Sequence, residues 1–125
     1  MIHIHVAEDN NLSYFLIEKM LTKSDFIVSR SRNGLEAVEF ARKADEDAII
    51  LMDLMMPEMD GYQALQEIRK FNTTIPVIIQ SACCMPEDVE KAMEMGCTDY
   101  ITKPVNREKL IDVILKYSFE ELQHI

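Results

Sequence analysis

Short apolar runs alternate with amphipathic stretches along the whole chain. The runs are residues 2–7 (interrupted by His3 and His5), 26–29, 48–52, 75–79 and a short fifth at 100–101. Runs rich in Ile and Val and bounded by polar residues read as strands buried on both faces. Between them lie helical spacings. Leu12, Phe15, Leu16 and Met20 fall at i, i+3, i+4 and i+8. Val89, Ala92 and Met93 repeat the start of that spacing, with Gly96 as a C-terminal stop. Leu110, Val113, Ile114 and Tyr117 form the cleanest stripe. Leu35, Val38 and Ala41 form a weaker one, as do Leu65 and Ile68 after Asp60-Gly61. Strict strand–helix alternation predicts an α/β fold, a doubly wound parallel sheet of five strands with helices on both faces. In such sheets the ligand site lies at the carboxyl ends of the strands.

Length and composition narrow the classes. The 125 residues fit one domain, 1–125, with no Pro/Gly/Ser linker inside it. A net charge of −9 repels a phosphate backbone and argues against direct nucleic-acid binding. Three glycines are too few for a Gly-rich phosphate cradle. No apolar run reaches the ~18 residues of a membrane span, and no basic-then-apolar leader opens the chain. Three cysteines do not make a disulfide framework, so a reduced, cytoplasmic setting is expected.

The strand ends gather the chemistry. Glu8 and Asp9 follow the first run, Asp53 the third, Ser81 and Ala82 the fourth, and Lys103 and Pro104 the fifth. Close carboxylates raise one another's pKa and stay ionised together only around a cation. Hard oxygen donors favour Mg²⁺. A carboxylate is also a nucleophile toward phosphorus. Phosphoryl transfer chiefly needs its equatorial oxygens neutralised, which Mg²⁺, the Lys103 ammonium and the Ser81 hydroxyl can do.

These residues resemble the receiver domain of response regulators, the phospho-acceptor module of two-component signalling. Asp53-Leu54-Met55-Met56-Pro57-Glu58-Met59-Asp60-Gly61 is similar to that family's motif after the third strand. Glu8-Asp9-Asn10 resembles its acidic pair, with Glu replacing the commoner first Asp. Ser81-Ala82 and Tyr100-Ile101-Thr102-Lys103-Pro104 resemble its remaining two motifs. The resemblance implies a flavodoxin-like fold, strand order 2-1-3-4-5, and transfer of a phosphoryl group from phosphohistidine to Asp53. Mg²⁺ would be held by Asp9 and Asp53, by Glu8 through water, and by the Met55 carbonyl. Ser81 and Lys103 would contact the phosphoryl group. Ser81 and Tyr100 would switch the face formed by the fourth helix, fifth strand and fifth helix. The Lys103-Pro104 peptide would be cis. The implied partner is a histidine kinase or histidine phosphotransfer protein. Residues 103–110 lean toward receivers of hybrid kinases rather than of transcription factors, and no DNA-binding segment follows the fifth helix.

Other readings fit less well. A phosphatase of the haloacid-dehalogenase type would also use Asp53 and Mg²⁺, but needs an acid where Met55 stands. A flavin-binding module needs a hydroxyl- and glycine-rich loop where Glu8-Asp9-Asn10-Asn11 stands. A receiver-like module kept for interaction alone would have no use for the intact acid set. His3 and His5 are two ligands, not a metal site; His5 reads as buried, neutral and hydrogen-bonded. Cys83-Cys84 reads as small-residue packing. The nine methionines read mostly as adaptable filler. The resemblance implies that Met55 and Cys83 flank the path of a hydrolytic water; a thioether and a thiol orient water poorly, which predicts slow self-dephosphorylation.

Overall fold

The computed structural model describes residues 1–82 and 85–118; Cys83 and Cys84 lie outside the described residues. Strands and helices alternate as β1 (His3–Ala7), α1 (Asn11–Thr22), β2 (Ile27–Ser31), α2 (Gly34–Lys43), β3 (Ala48–Asp53), α3 (Gly61–Phe71), β4 (Val77–Ser81), α4 (Pro86–Glu94), β5 (Asp99–Thr102) and α5 (Arg107–Tyr117). The strands form one parallel sheet in the order β2-β1-β3-β4-β5. This is the doubly wound sheet that the alternation predicts and the order that the resemblance implies. No helix among the described residues is long and apolar enough to cross a membrane.

The centre of the sheet follows the pattern most closely. Every residue of β3 and β4 is buried, because helices cover both faces. Successive side chains alternate between two cores. Ile50, Met52, Ile79, Leu65 and Ile68 fill one; Ile49, Leu51, Ile78, Leu21 and Ile114 fill the other. β2 departs from the expectation of strands buried on both faces. It is an edge strand with Ile27 exposed and Ser29 and Arg30 half-buried, and polar residues suit an edge. Strand limits move too. Pro76 has no N–H to give a ladder, so β4 starts at Val77 rather than at residue 75.

The first helix forms where the spacing predicts, with a second apolar stripe buried. Leu12, Phe15 and Leu16 are 67%, 49% and 50% exposed, and Ile17 and Leu21 are buried instead. Two apolar stripes interleave on α1, and the sheet takes the one through Ile17 and Leu21. Leu35 and Met93 are also exposed, while Gly34, Ala37, Val38 and Ala41 occupy the buried positions of α2 and Ala92 that of α4. Small side chains there let those helices lie close to their neighbours.

Helix ends are chemically marked. Asn10, Asn33, Asp60 and Asn106 each accept the backbone N–H three residues on, capping α1, α2, α3 and α5. α4 has no such side-chain cap at Met85. It ends through Gly96, whose φ of 100° favours glycine. Arg69 fastens that turn. Its guanidinium donates to the carbonyls of Gly96 (2.8 Å), Asn72 (3.1 Å) and Ile75 (2.8 Å).

A polar chain crosses from β1 to β2. His3 Nε2 and His5 Nδ1 each lie 2.7 Å from Ser29 Oγ, and His5 Nε2 lies 2.5 Å from Ser31 Oγ. The buried His5 ring stacks on Phe40 with centroids 3.8 Å apart. Burial, with the charge of His3 second, pushes the His5 pKa down to about 4. It is therefore neutral near pH 7, as expected.

Candidate functional site

Strand register brings the acids together. Ala7 pairs with Met52, so the next residue, Glu8, comes level with Asp53 at the end of β3. Ser81 pairs with Thr102, and Lys103 follows immediately. Glu8 and Asp53 are buried and Asp9 is exposed. One carboxylate oxygen from each of the three lies within 4.8 Å of the others.

Lys103 closes the cluster. Its Nζ donates to Glu8 Oε1 at 2.9 Å and to Asp53 Oδ2 at 3.1 Å. Its backbone N–H donates to the Ser81 carbonyl at 2.8 Å, and the Lys103-Pro104 peptide is cis. The other oxygens are also engaged. Asp53 Oδ1 accepts the Met55 N–H at 3.3 Å, and Glu8 Oε2 accepts the Asn10 N–H at 3.2 Å. Gly61 is required behind Asp53, since a Cβ there would lie 2.4 Å from the Asp53 carbonyl oxygen and 2.8 Å from Leu54 Cα.

Burial pushes the Glu8 pKa up, and the Lys103 hydrogen bond only partly opposes it. Burial pulls Lys103 down, but the hydrogen bond to Glu8 and the two carboxylates outweigh it, so the ammonium is held above its usual range. With all three acids ionised, three negative charges face one ammonium, 3 − 1 = 2. The uncompensated charge and the all-oxygen donor set fit a hard dication such as Mg²⁺. Glu8, Asp9 and Asp53 are the side chains that could hold it.

Of the residues singled out in the sequence, Glu8, Asp9, Asp53 and Lys103 converge on one point. Ser81 is buried at the end of β4 beside the Lys103 backbone. Met55 lies in the loop after β3 with 72% of its surface exposed. Tyr100 stands lower, beside Ile79 in β5, half-buried against the core that contains Ile79. One residue at the site had no signal in the sequence. Arg30 reaches from β2 to the backbone carbonyls of Glu8 and Asp9. No local spacing marks a contact between residues 22 apart on different strands.

The family model "Response regulator receiver domain" matches residues 4–115. The chain is 34% identical over 116 residues to the polar-differentiation response regulator DivK of Brucella anthropi, covering 91% of this chain and 94% of DivK. It is 38% identical over 117 residues to hybrid signal transduction histidine kinase I of Dictyostelium discoideum. That match covers 87% of this chain but spans only 7% of the kinase. The receiver domain of a Pseudomonas aeruginosa sensor histidine kinase, solved with a magnesium ion in its active-site cleft, superposes with a TM-score of 0.84 at 31% identity. The match covers 93% of this chain and 96% of that one. The Saccharomyces cerevisiae receiver domain of Ssk1, crystallised with the histidine phosphotransfer protein Ypd1, superposes at 0.85 with 28% identity, covering 94% and 88%.

Proposed function

The chain belongs to the response-regulator receiver family, and from that premise we propose that residues 1–125 act as one phospho-acceptor domain with Asp53 as the acceptor. The observation that carries this is the convergence of Glu8, Asp9 and Asp53 within 4.8 Å, with the Lys103 ammonium bonded to two of them. Asp53 Oδ attacks phosphorus, the bond from phosphorus to the donor imidazole nitrogen breaks, and the imidazole leaves with the electron pair. Lys103 stands where its charge can offset a phosphoryl oxygen on Asp53. Ser81, at the neighbouring strand end, is the hydroxyl proposed to bind another. Asp9 and Asp53 would ligate Mg²⁺, with the Met55 carbonyl, and the buried Glu8 would act through water. The ion, when bound, neutralises phosphoryl oxygens as charge spreads over them.

The donor is a phosphohistidine on a histidine kinase or a histidine phosphotransfer protein. The Ssk1 receiver crystallised with Ypd1 supports the second kind of partner. The setting is cytoplasmic. Output runs through α4, β5 and α5, with Ser81 moving toward the phosphoryl group and Tyr100 turning inward. Beryllofluoride, a phosphoryl mimic, should then shift amide signals across residues 85–101; shifts confined to the loops around Asp53 refute the switch.

Incubation with acetyl phosphate and Mg²⁺ tests the core of the reading. One phosphoryl group should add to the wild type, and none to Asp53→Asn or to wild type in EDTA. Full phosphorylation of Asp53→Asn overturns the assignment.

A further inference from the structure

The acids of the site sit on a short link. β1 ends at Ala7, α1 starts at Asn11, and Glu8 and Asp9 lie between them. What fixes that link is β2. The Glu8 N–H donates to the Ser31 carbonyl at 3.0 Å. From the adjacent residue, Arg30 Nε and Nη2 donate to the Glu8 carbonyl at 3.1 and 2.9 Å. Nη2 also donates to the Asp9 carbonyl at 3.3 Å. The guanidinium in turn lies over the Tyr14 ring, 4.5 Å from its centroid, so α1 holds the clamp in place. The Tyr14 hydroxyl is itself held, donating to Glu18 Oε2 at 3.1 Å.

We propose that Arg30 is a positioning residue for the Mg²⁺ site, fixing the backbone of Glu8 and Asp9 so that their carboxylates meet Asp53. The inference rests on the metal-dependent phospho-acceptor reading. The Asp9 carboxylate is short, so rotation of its peptide units carries its oxygens with it. A planar fork bonded to two successive carbonyls restrains that rotation; a point-like ammonium cannot match the geometry. Supporting groups of this kind set metal affinity by holding ligands in place.

The sign of the effect separates positioning from charge. Arg30 is a cation beside a cation site. By Coulomb's law alone, its removal should tighten Mg²⁺ binding. If it positions the ligands, removal should loosen binding. Arg32 is the control: it donates to Asn11 Oδ1 at 3.2 Å rather than to the acid link.

The experiment is an amide-NMR titration with Mg²⁺, paired with urea midpoints, on wild type, Arg30→Ala, Arg30→Lys, Arg32→Ala and Asp9→Asn. Arg30→Ala should weaken Mg²⁺ binding by about three- to tenfold, below the 10–100-fold typical of groups bonded directly to a ligand side chain. Arg30→Lys should fall between it and wild type. Arg32→Ala should bind equally or more tightly. Equal or tighter binding by Arg30→Ala overturns the inference, as does loosening that appears equally in Arg32→Ala. If Arg30→Ala lacks a dispersed spectrum, Arg30→Lys decides: wild-type affinity there overturns it. No Mg²⁺ binding by the wild type, or undiminished binding by Asp9→Asn, overturns the metal site itself and this inference with it.

Discussion

Acidification should weaken this fold through His5 before most carboxylates titrate. His5 has an ordinary pKa of 6.5 and a folded-state value of about 4. The unfolded chain therefore takes the proton first. Stability is full above about pH 7, falls as pH drops from 6.5 toward 4, and loses no more to this group below that. The whole shift corresponds to about 3 kcal/mol, and about 2 kcal/mol of it is lost by about pH 5. The serine hydroxyls can accept from both ring N–H groups of an imidazolium, so hydrogen bonding survives protonation. Burial against Phe40 and the nearby charge of His3 make it costly. Glu8 works in the opposite direction. Its pKa is raised by burial, so protonation on acidification favours the fold. The two are separated with His5→Gln, which keeps polar atoms near Ser29 and Ser31 but does not titrate. Urea unfolding should be followed by far-UV circular dichroism, since the chain has no tryptophan. Between about pH 7.5 and pH 5, wild type should lose about 2 kcal/mol more than the variant. Parallel pH profiles for the two proteins would refute the assignment.

Three other outcomes are expected. Gly61→Ala should cost about 1–3 kcal/mol in urea unfolding, because its Cβ meets backbone atoms of Asp53 and Leu54 that cannot swing aside; an unchanged midpoint counts against the close approach. Lys103→Met should destabilise the fold near pH 7.5 by roughly 1–3 kcal/mol, the full buried-pair penalty being reduced by solvent at the lysine, whose side chain is 25% exposed. That loss should shrink on acidification as Glu8, its pKa raised by burial, takes up a proton, and a loss that grows contradicts the role given to Glu8. Met55→Asn combined with Cys83→Glu should speed loss of label from purified phosphoprotein by about tenfold or more, ~1.4 kcal/mol in barrier, because an amide and a carboxylate orient water better than a thioether and a thiol; an unchanged rate removes these two positions from control of the water path.

Legibility in the sequence tracked how local each signal was. β3 and β4 could be read because a strand covered on both faces is apolar at every position. The acids could be read because parallel strands deliver their C-terminal neighbours to one edge. The spacing of Leu12, Phe15 and Leu16 marks α1 as a helix without marking its buried face, since Ile17 and Leu21 give as good a helical spacing. Only the rest of the fold selects between such stripes. Ser29 and Ser31 gave no sign that two histidines lie across from them on the neighbouring strand. Arg30 was invisible for the same reason: its partners are backbone carbonyls, which carry no sequence identity.

The Arg69 fastening gives α4 the mechanics of a boom with a pinned foot. Its C-terminal turn is tied through the Gly96 carbonyl to the end of α3 and the entry to β4, while Met85 at its N-terminus supplies no side-chain cap. Nine residues make a lever about 13 Å long. A tilt of about 10° around the pinned foot carries Pro86 about 2 Å and leaves Gly96 nearly still. A binding protein that grips the first turn would register the full sweep, while one seated on the last turn would feel almost none of it.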